Sequence, residues 1–223
     1  MKQKQDSKLS ADEIQQIVEI LGREFSDPQP SLTHRNAFEL LLAVILSAQC
    51  TDKRVNTVTP KLFPKDTPCT PEHILALGEE RVREIIHPTG YFNSKTKAVM
   101  GCATALLGST EPEVVPSDFT ALTALPGVGA KTAQVVQSQW FGMDTFPVDT
   151  HVHRLCNRLG LADSGKNRDH TERQVKTTVP QQHWRALHMQ LIFHGRKTCT
   201  AFKPKCKTCP LRQVCKWSEK SLE

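Results

Sequence analysis

Apolar residues recur along this chain at the spacing of helix faces, and no stretch alternates convincingly as a half-buried strand would. Between residues 11 and 25, Ile14, Ile17, Val18 and Leu21 fall on one helical stripe, with Ser10 placed to cap its start. Pro28 and Pro30 end that segment. A second helix, residues 36–48, is apolar almost all round, which predicts a central position. Further helices are predicted at 52–63, 71–77, 79–87 and 94–107, punctuated by Pro64, Pro68, Pro88, Gly90 and Gly108. The expected fold class is all-α with short connections.

The stretch from 116 to 142 carries more. Pro116-Ser117 is read as opening a short helix through Leu122 and Leu125, and a second helix runs from Ala130 to about Phe141. Between them, Pro126-Gly127-Val128-Gly129 predicts a tight hairpin, its two glycines supplying positive φ and a close backbone approach. Backbone amides followed by a helix N-terminus make a phosphate seat. An ordinary turn between helices is the plainer reading. The flanking Leu125 and Ala130-Lys131-Thr132-Ala133 favour a helix-hairpin-helix that grips DNA.

A length of 223 residues admits one large domain or two packed smaller ones, and 38% hydrophobic residues suffice for a core. The start, Met1 to Lys8, is polar and lacks the apolar stretch of a secretory signal. The apolar run Leu40 to Leu46 is far too short to cross a bilayer. A soluble, intracellular protein is expected. The net charge of +6 resides entirely in residues 196–223: Arg196, Lys197, Lys203, Lys205, Lys207, Arg212, Lys216 and Lys220 against Glu219 and Glu223. Such a segment suits a polyanion, though a solvated tail is the ordinary alternative.

Four cysteines are threaded through that basic segment. Cys199, Cys206, Cys209 and Cys215 are spaced C-x6-C-x2-C-x5-C, whereas Cys50, Cys69, Cys102 and Cys156 are scattered like small helical core residues. Disulfides do not suit an intracellular chain. Zinc with four thiolates remains open. Structural zinc sites more often pair two short C-x2–4-C knuckles, so the single x2 pair favours a four-iron cluster.

Lys131 falls in the first turn of the helix after the hairpin, where the helix N-terminus disfavours a cation. That is the setting a nucleophilic amine requires. Its plainer role is to neutralise a phosphate. Asp149, in Phe146-Pro147-Val148-Asp149-Thr150-His151, stands just before a helix with Val152, Leu155, Cys156 and Leu159 on one face. It is expected to be that helix's N-cap, and a carboxylate so fixed can still stabilise a sugar cation. An amine nucleophile and a fixed carboxylate are the minimum kit for breaking an N-glycosidic bond.

Taken together, Leu125-Pro126-Gly127-Val128-Gly129-Ala130-Lys131-Thr132-Ala133, Val148-Asp149-Thr150-His151 and the four-cysteine run resemble the endonuclease III family in order and spacing. Leu46-Ser47-Ala48-Gln49 and Asn93-Ser94-Lys95 extend the resemblance from about residue 36 onward. It implies a six-helix barrel domain with the helix-hairpin-helix at about 117–142, spanning 30–142. It also implies a second domain, made of 1–29 and 143–223, that ends in a [4Fe-4S] cluster loop at 199–215. The implied activity is that of a DNA glycosylase and abasic-site lyase which flips an oxidised pyrimidine out of damaged double-stranded DNA. Lys131 would form the Schiff base and Asp149 assist. Gln49 would fill the gap left by the base. Ser47, Asp52 and His151 would line the pocket, Gly127, Gly129, Lys203 and Lys205 would hold DNA, and Cys199, Cys206, Cys209 and Cys215 would bind the cluster. A cytoplasmic monomer is implied, drawn to the nucleoid through DNA, with no membrane association.

The chain departs from the family pattern in three places. Tyr91 stands where a leucine usually enters DNA, and stacking a base on it is worth about 1–3 kcal/mol. Gln139-Trp140 replace smaller residues, and residues 168–171 are more polar than usual. An adenine-mismatch glycosylase typically lacks the lysine at this position and carries an extra C-terminal domain, for which the eight residues after Cys215 leave no room. A thymine-mismatch glycosylase of the same superfamily stays open. A non-catalytic helix-hairpin-helix protein with structural zinc would leave the Lys131 and Asp149 motifs unexplained.

Overall fold

The computed structural model describes residues 9–109 and 114–218. Met1 to Lys8, and Glu219, Lys220 and Glu223 of the basic tail, lie outside them. Among the described residues there are ten α-helices and no strand. They are α1 (Ala11–Glu24), α2 (Ala37–Ser47), α3 (Asp52–Leu62), α4 (Pro71–Ile86), α5 (Phe92–Ala105), α6 (Phe119–Thr123), α7 (Ala130–Gln139), α8 (Thr150–Leu159), α9 (Arg168–Thr178) and α10 (Trp184–Lys197). The all-α reading holds. No helix among the described residues is long and apolar enough to cross a membrane.

The chain divides into two compact units, residues 30–143 and residues 1–29 with 144–223. In the first, α2 is the central helix, buried from Ala37 to Leu46 and packed against α3, α5 and α7. Asn36 caps it by accepting from the Glu39 N–H at 2.8 Å. Glu39, itself buried, accepts from the Arg35 side chain and from the Cys69 N–H, pinning the loop before α4 onto the core. Cys69 is therefore a buried loop residue and Cys50 a half-buried one at the α2–α3 turn, rather than helical as expected. The two helices predicted at 71–77 and 79–87 run on as α4, with a kink where Gly78 leaves helical geometry at φ 78°, ψ 157°. The short helix α6 begins at Phe119, later than Pro116-Ser117, because Asp118 supplies the cap by accepting from Ala121 N–H at 2.8 Å.

The second unit closes around Ile14, Ile17 and Leu21 of α1, Val152, Leu155 and Leu159 of α8, and Leu187 and Leu191 of α10. Ser10 and Glu13 form a reciprocal capping box on α1. Helices α9 and α10 have no counterpart in the sequence reading. The apolar stripe of α9 is reduced to Thr171 and Val175, and α10 interleaves buried histidine and glutamine with its leucines, which blurs the helical period.

Candidate functional site

In the first unit the hairpin is seated by close approach to α5. Gly127 has φ +75°, and a Cβ built on it would lie 2.4 Å from Ala98 Cβ, so no side chain fits there. Gly101 of α5 receives Pro126 in the same way, its imagined Cβ being 2.8 Å from the proline ring. The Cys102 thiol donates to the Pro126 carbonyl at 3.1 Å, and burial pushes its pKa up to about 12, which keeps the donor proton in place. Gly129 differs from the expectation. Its backbone is extended (φ −91°, ψ 176°) and a Cβ would meet nothing within 4 Å. Only Gly127 of the pair needs positive φ; the space beside Gly129 is open.

Gly129 is the N-cap of α7 and offers no side-chain acceptor, and the first turn holds no acidic residue. The first N–H groups of α7 therefore receive no side-chain cap from the N-cap residue. Lys131, exposed, stands in that first turn. At the C-cap of α7, Trp140 packs edge-on against His34 with ring centroids 5.9 Å apart.

Two further turns of this unit carry predicted DNA contacts. Gln49 is exposed at the α2–α3 turn with φ 52°, flanked by Ser47, whose hydroxyl donates to Val44 O, and by Asp52 at the start of α3. Tyr91 is 66% exposed with φ 49°, directly before α5. Left-handed backbone at non-glycine residues is strained and persists only where the surroundings hold it. Behind both turns lies Lys95, 5% exposed, whose Nζ donates to Leu46 O and Thr89 O at 2.8 Å each.

In the second unit Asp149 caps α8, its Oδ1 accepting from Val152 N–H at 2.8 Å and leaving Oδ2 outside the cap. Burial lowers the pKa of His151 despite nearby Asp149, and Arg154 and Arg196 lower it further. His151 Nδ1 faces Arg154 at 3.2 Å and lies close to Gly195 of α10. Two arginines one turn apart on α8 reach the first cysteine strand. Arg154 donates to Cys199 O and Gly195 O; Arg158 donates to Cys199 Sγ at 3.3 Å and to the carbonyls of Thr200 and Ala201. Sequence reasoning passed over both, because on an amphipathic helix they read as solvated charges.

Cys199, Cys206, Cys209 and Cys215 line one cavity, together with Leu155, Leu159, His194, Arg212 and Trp217. Among the described residues no three His, Cys, Asp or Glu side chains converge closely enough for a single metal ion. The four thiols line one shared space. Burial, then the three neighbouring thiols, push the Cys209 pKa up to about 11 against a backbone hydrogen bond at Leu211. Burial, with help from Lys197, lowers His194 to about 4, so its ring is neutral beside Cys209. Arg158 lies 4.0 Å over the Trp217 ring. The exposed loop tip holds Phe202, Lys203 (φ 49°) and Lys205, with Thr200 Oγ1 donating to Phe202 O.

Residues 42–181 match the model of the HhH-GPD superfamily base excision DNA repair proteins. Endonuclease III of Rickettsia conorii is 43% identical over 207 residues, covering 93% of this chain and 97% of that protein. The Escherichia coli K12 enzyme of the same name is 44% identical over 206 residues, covering 91% and 96%. A solved trapped endonuclease III–DNA covalent intermediate superimposes with a TM-score of 0.84 at 38% identity, covering 93% of this chain and 96% of that one.

Proposed function

The chain belongs to the HhH-GPD superfamily of base excision DNA repair proteins, within it to the endonuclease III family, and on that footing we propose how its residues divide the work of a bifunctional DNA glycosylase and abasic-site lyase. Lys131 is the nucleophile. Its neutral amine attacks C1′ of the damaged nucleotide as the N-glycosidic bond breaks, and the leaving base takes the bond's electrons and a proton. Sugar-ring opening gives an iminium. Loss of a C2′ proton then breaks the C3′–O bond, nicking the strand 3′ to the lesion, and water returns Lys131. Asp149 supplies the fixed carboxylate that stabilises cationic sugar and shuttles protons. The single observation carrying this reading is an exposed lysine in the first turn of a helix whose N–H end has no side-chain cap. In that setting the hairpin amides take a DNA phosphate while the amine stands at the sugar.

The substrate is double-stranded DNA with an oxidised pyrimidine, extruded from the stack and acted on by a monomer. Gln49 and Tyr91 fill the gap, and Ser47, Asp52 and His151 contribute to the base pocket. Lys203 and Lys205 contact phosphates. Cys199, Cys206, Cys209 and Cys215 hold a [4Fe-4S] cluster, supported by the cavity they share and by Arg158 donating to Cys199. When bound, the cluster supplies four iron–thiolate bonds that cross-link residues 199–215.

Borohydride reduction on a duplex with one abasic site tests the assignment. The native protein should be trapped covalently and Lys131→Ala should not, while Asp149→Asn slows trapping. A covalent adduct that survives Lys131→Ala would refute it. Purified protein should be yellow-brown with about four iron atoms per chain; a colourless protein with stoichiometric zinc would overturn the cluster.

A further inference from the structure

Lys95 sits where an apolar residue would serve packing alone. It is 5% exposed, and its hydrogen-bond partners are two main-chain carbonyls rather than a carboxylate. One is Leu46 O, in the last turn of α2, where carbonyls lack helical partners and the helix end attracts a cation. The other is Thr89 O, two residues before Tyr91. The Lys95 main-chain N–H also donates, to Tyr91 O at 3.1 Å. One residue thus grips the Tyr91 turn from both sides and reaches across to the helix end from which the Gln49 turn springs. Both turns hold a non-glycine residue at positive φ, Gln49 at 52° and Tyr91 at 49°. Each is a conformation that needs external support. Around the second turn, Thr89 Oγ1 donates to Ile86 O and the His87 and Phe92 rings pack with centroids 4.3 Å apart, so its base is tied into the fold. The strain is carried at the tips.

We propose that Lys95 is a positioning residue for base extrusion, whose ammonium, bound to Leu46 O and Thr89 O together, sets the Gln49 and Tyr91 turns in one register so that they enter DNA as a single device. The inference rests on the reading of Gln49 and Tyr91 as the inserting residues. It places the link between them in the protein, present before DNA arrives. An ammonium suits the task because its three donors satisfy two carbonyls from different directions, which no uncharged side chain of that length does. Burial costs Lys95 affinity for its proton, and nearby Cys50 offsets this only in part, in keeping with a side chain retained for its geometry.

The test is single-turnover kinetics on two duplexes, one with a single 5-hydroxyuracil and one with a preformed abasic site, for Lys95→Met, Gln49→Ala, Tyr91→Ala and their combinations. In the native background each tip variant should slow base release. Lys95→Met should slow base release on the order of tenfold more than it slows strand cleavage at the abasic site, since only the first needs a base extruded. Adding Gln49→Ala or Tyr91→Ala to Lys95→Met should then cost little more, the signature of residues acting as one unit. Full additivity would overturn the role of Lys95. Tip variants without effect in the native background would instead overturn the insertion reading, whatever Lys95 does. If Lys95→Met melts below the assay temperature, Lys95→Arg serves, keeping the charge on a longer fork. Coupling to the tips again supports the proposal and additivity again refutes it.

Discussion

The hairpin at 126–129 and the cysteine loop at 199–215 are both short segments that carry predicted function, yet they are held by opposite means. The hairpin is seated by absence of side chain: Gly127 against Ala98, Gly101 against Pro126, with one thiol-to-carbonyl hydrogen bond beneath. The cysteine loop is held by charge, through Arg154 and Arg158 on its carbonyls and an ion pair from Lys216 to Glu13 at 2.5 Å, around a cavity lined by the four thiols. Close packing needs no ligand and tolerates no added atom. A hydrogen-bonded loop around a void tolerates surface change but depends on what fills it. The first region should be brittle to substitution and the second brittle to chemistry.

The sharpest way to break this contrast is to remove one thiolate. Cys206→Ser or Cys209→Ser should lose the visible absorption and essentially all of the roughly four irons per chain. It should also raise proteolysis within 199–215 and leave the hairpin folded, as read by hydrogen exchange at Val128. Next in size is Gly127→Ala, where overpacking and positive φ add to about 3 kcal/mol lost in urea denaturation, with iron content unchanged. Arg158→Ala, which strips three acceptors of a donor at a half-buried site, should cost about 1–2 kcal/mol and speed iron loss to a chelator. Gly129→Ala belongs at the other extreme. With open space and ordinary φ it should change stability by no more than about 0.5 kcal/mol, yet weaken DNA binding if a phosphate sits there. The smallest effect is expected for Lys203→Ala or Lys205→Ala: uniform weakening across DNA sequences and a salt slope flatter by about one unit. An unchanged slope would mark them as solvated charges.

The same contrast explains what could be read in advance. Helix positions were legible where apolar residues ran at helical spacing, as at Ser10 capping Ile14, Ile17 and Leu21, or in the almost wholly apolar α2. Even the break at Gly78 was visible, though it kinks α4 rather than ending it. Helix α9 escaped because its buried face is two residues wide, and α10 because His188, Gln190 and His194 are buried among its leucines. Of the proposed site, Lys131, Asp149 and the four cysteines stood out through spacing and motif. Their supports did not. Gly101 looked like any helical glycine, and its need is set by Pro126, 25 residues away. Lys95 was visible as part of a motif, but its two carbonyl partners lie 49 and 6 residues distant, beyond any local pattern. The equal treatment of Gly127 and Gly129 failed for the same reason, since a φ angle and a neighbour's Cβ belong to tertiary structure.

The unit built from both ends of the chain has a consequence for how the protein is made. On the ribosome, α1 emerges first, with Ile14, Ile17 and Leu21 bare, and its partners Leu187 and Leu191 follow more than 160 residues later. At roughly 5–20 residues per second, that apolar stripe waits on the order of ten seconds or more. Residues 30–143 are contiguous and can close their core in the meantime. Its early folding would also help bring the flanking segments together, because the entropy of closing a loop rises only slowly with its length. The capping box on α1 then acquires a kinetic meaning: it keeps a nascent helix in shape for a docking partner that does not yet exist.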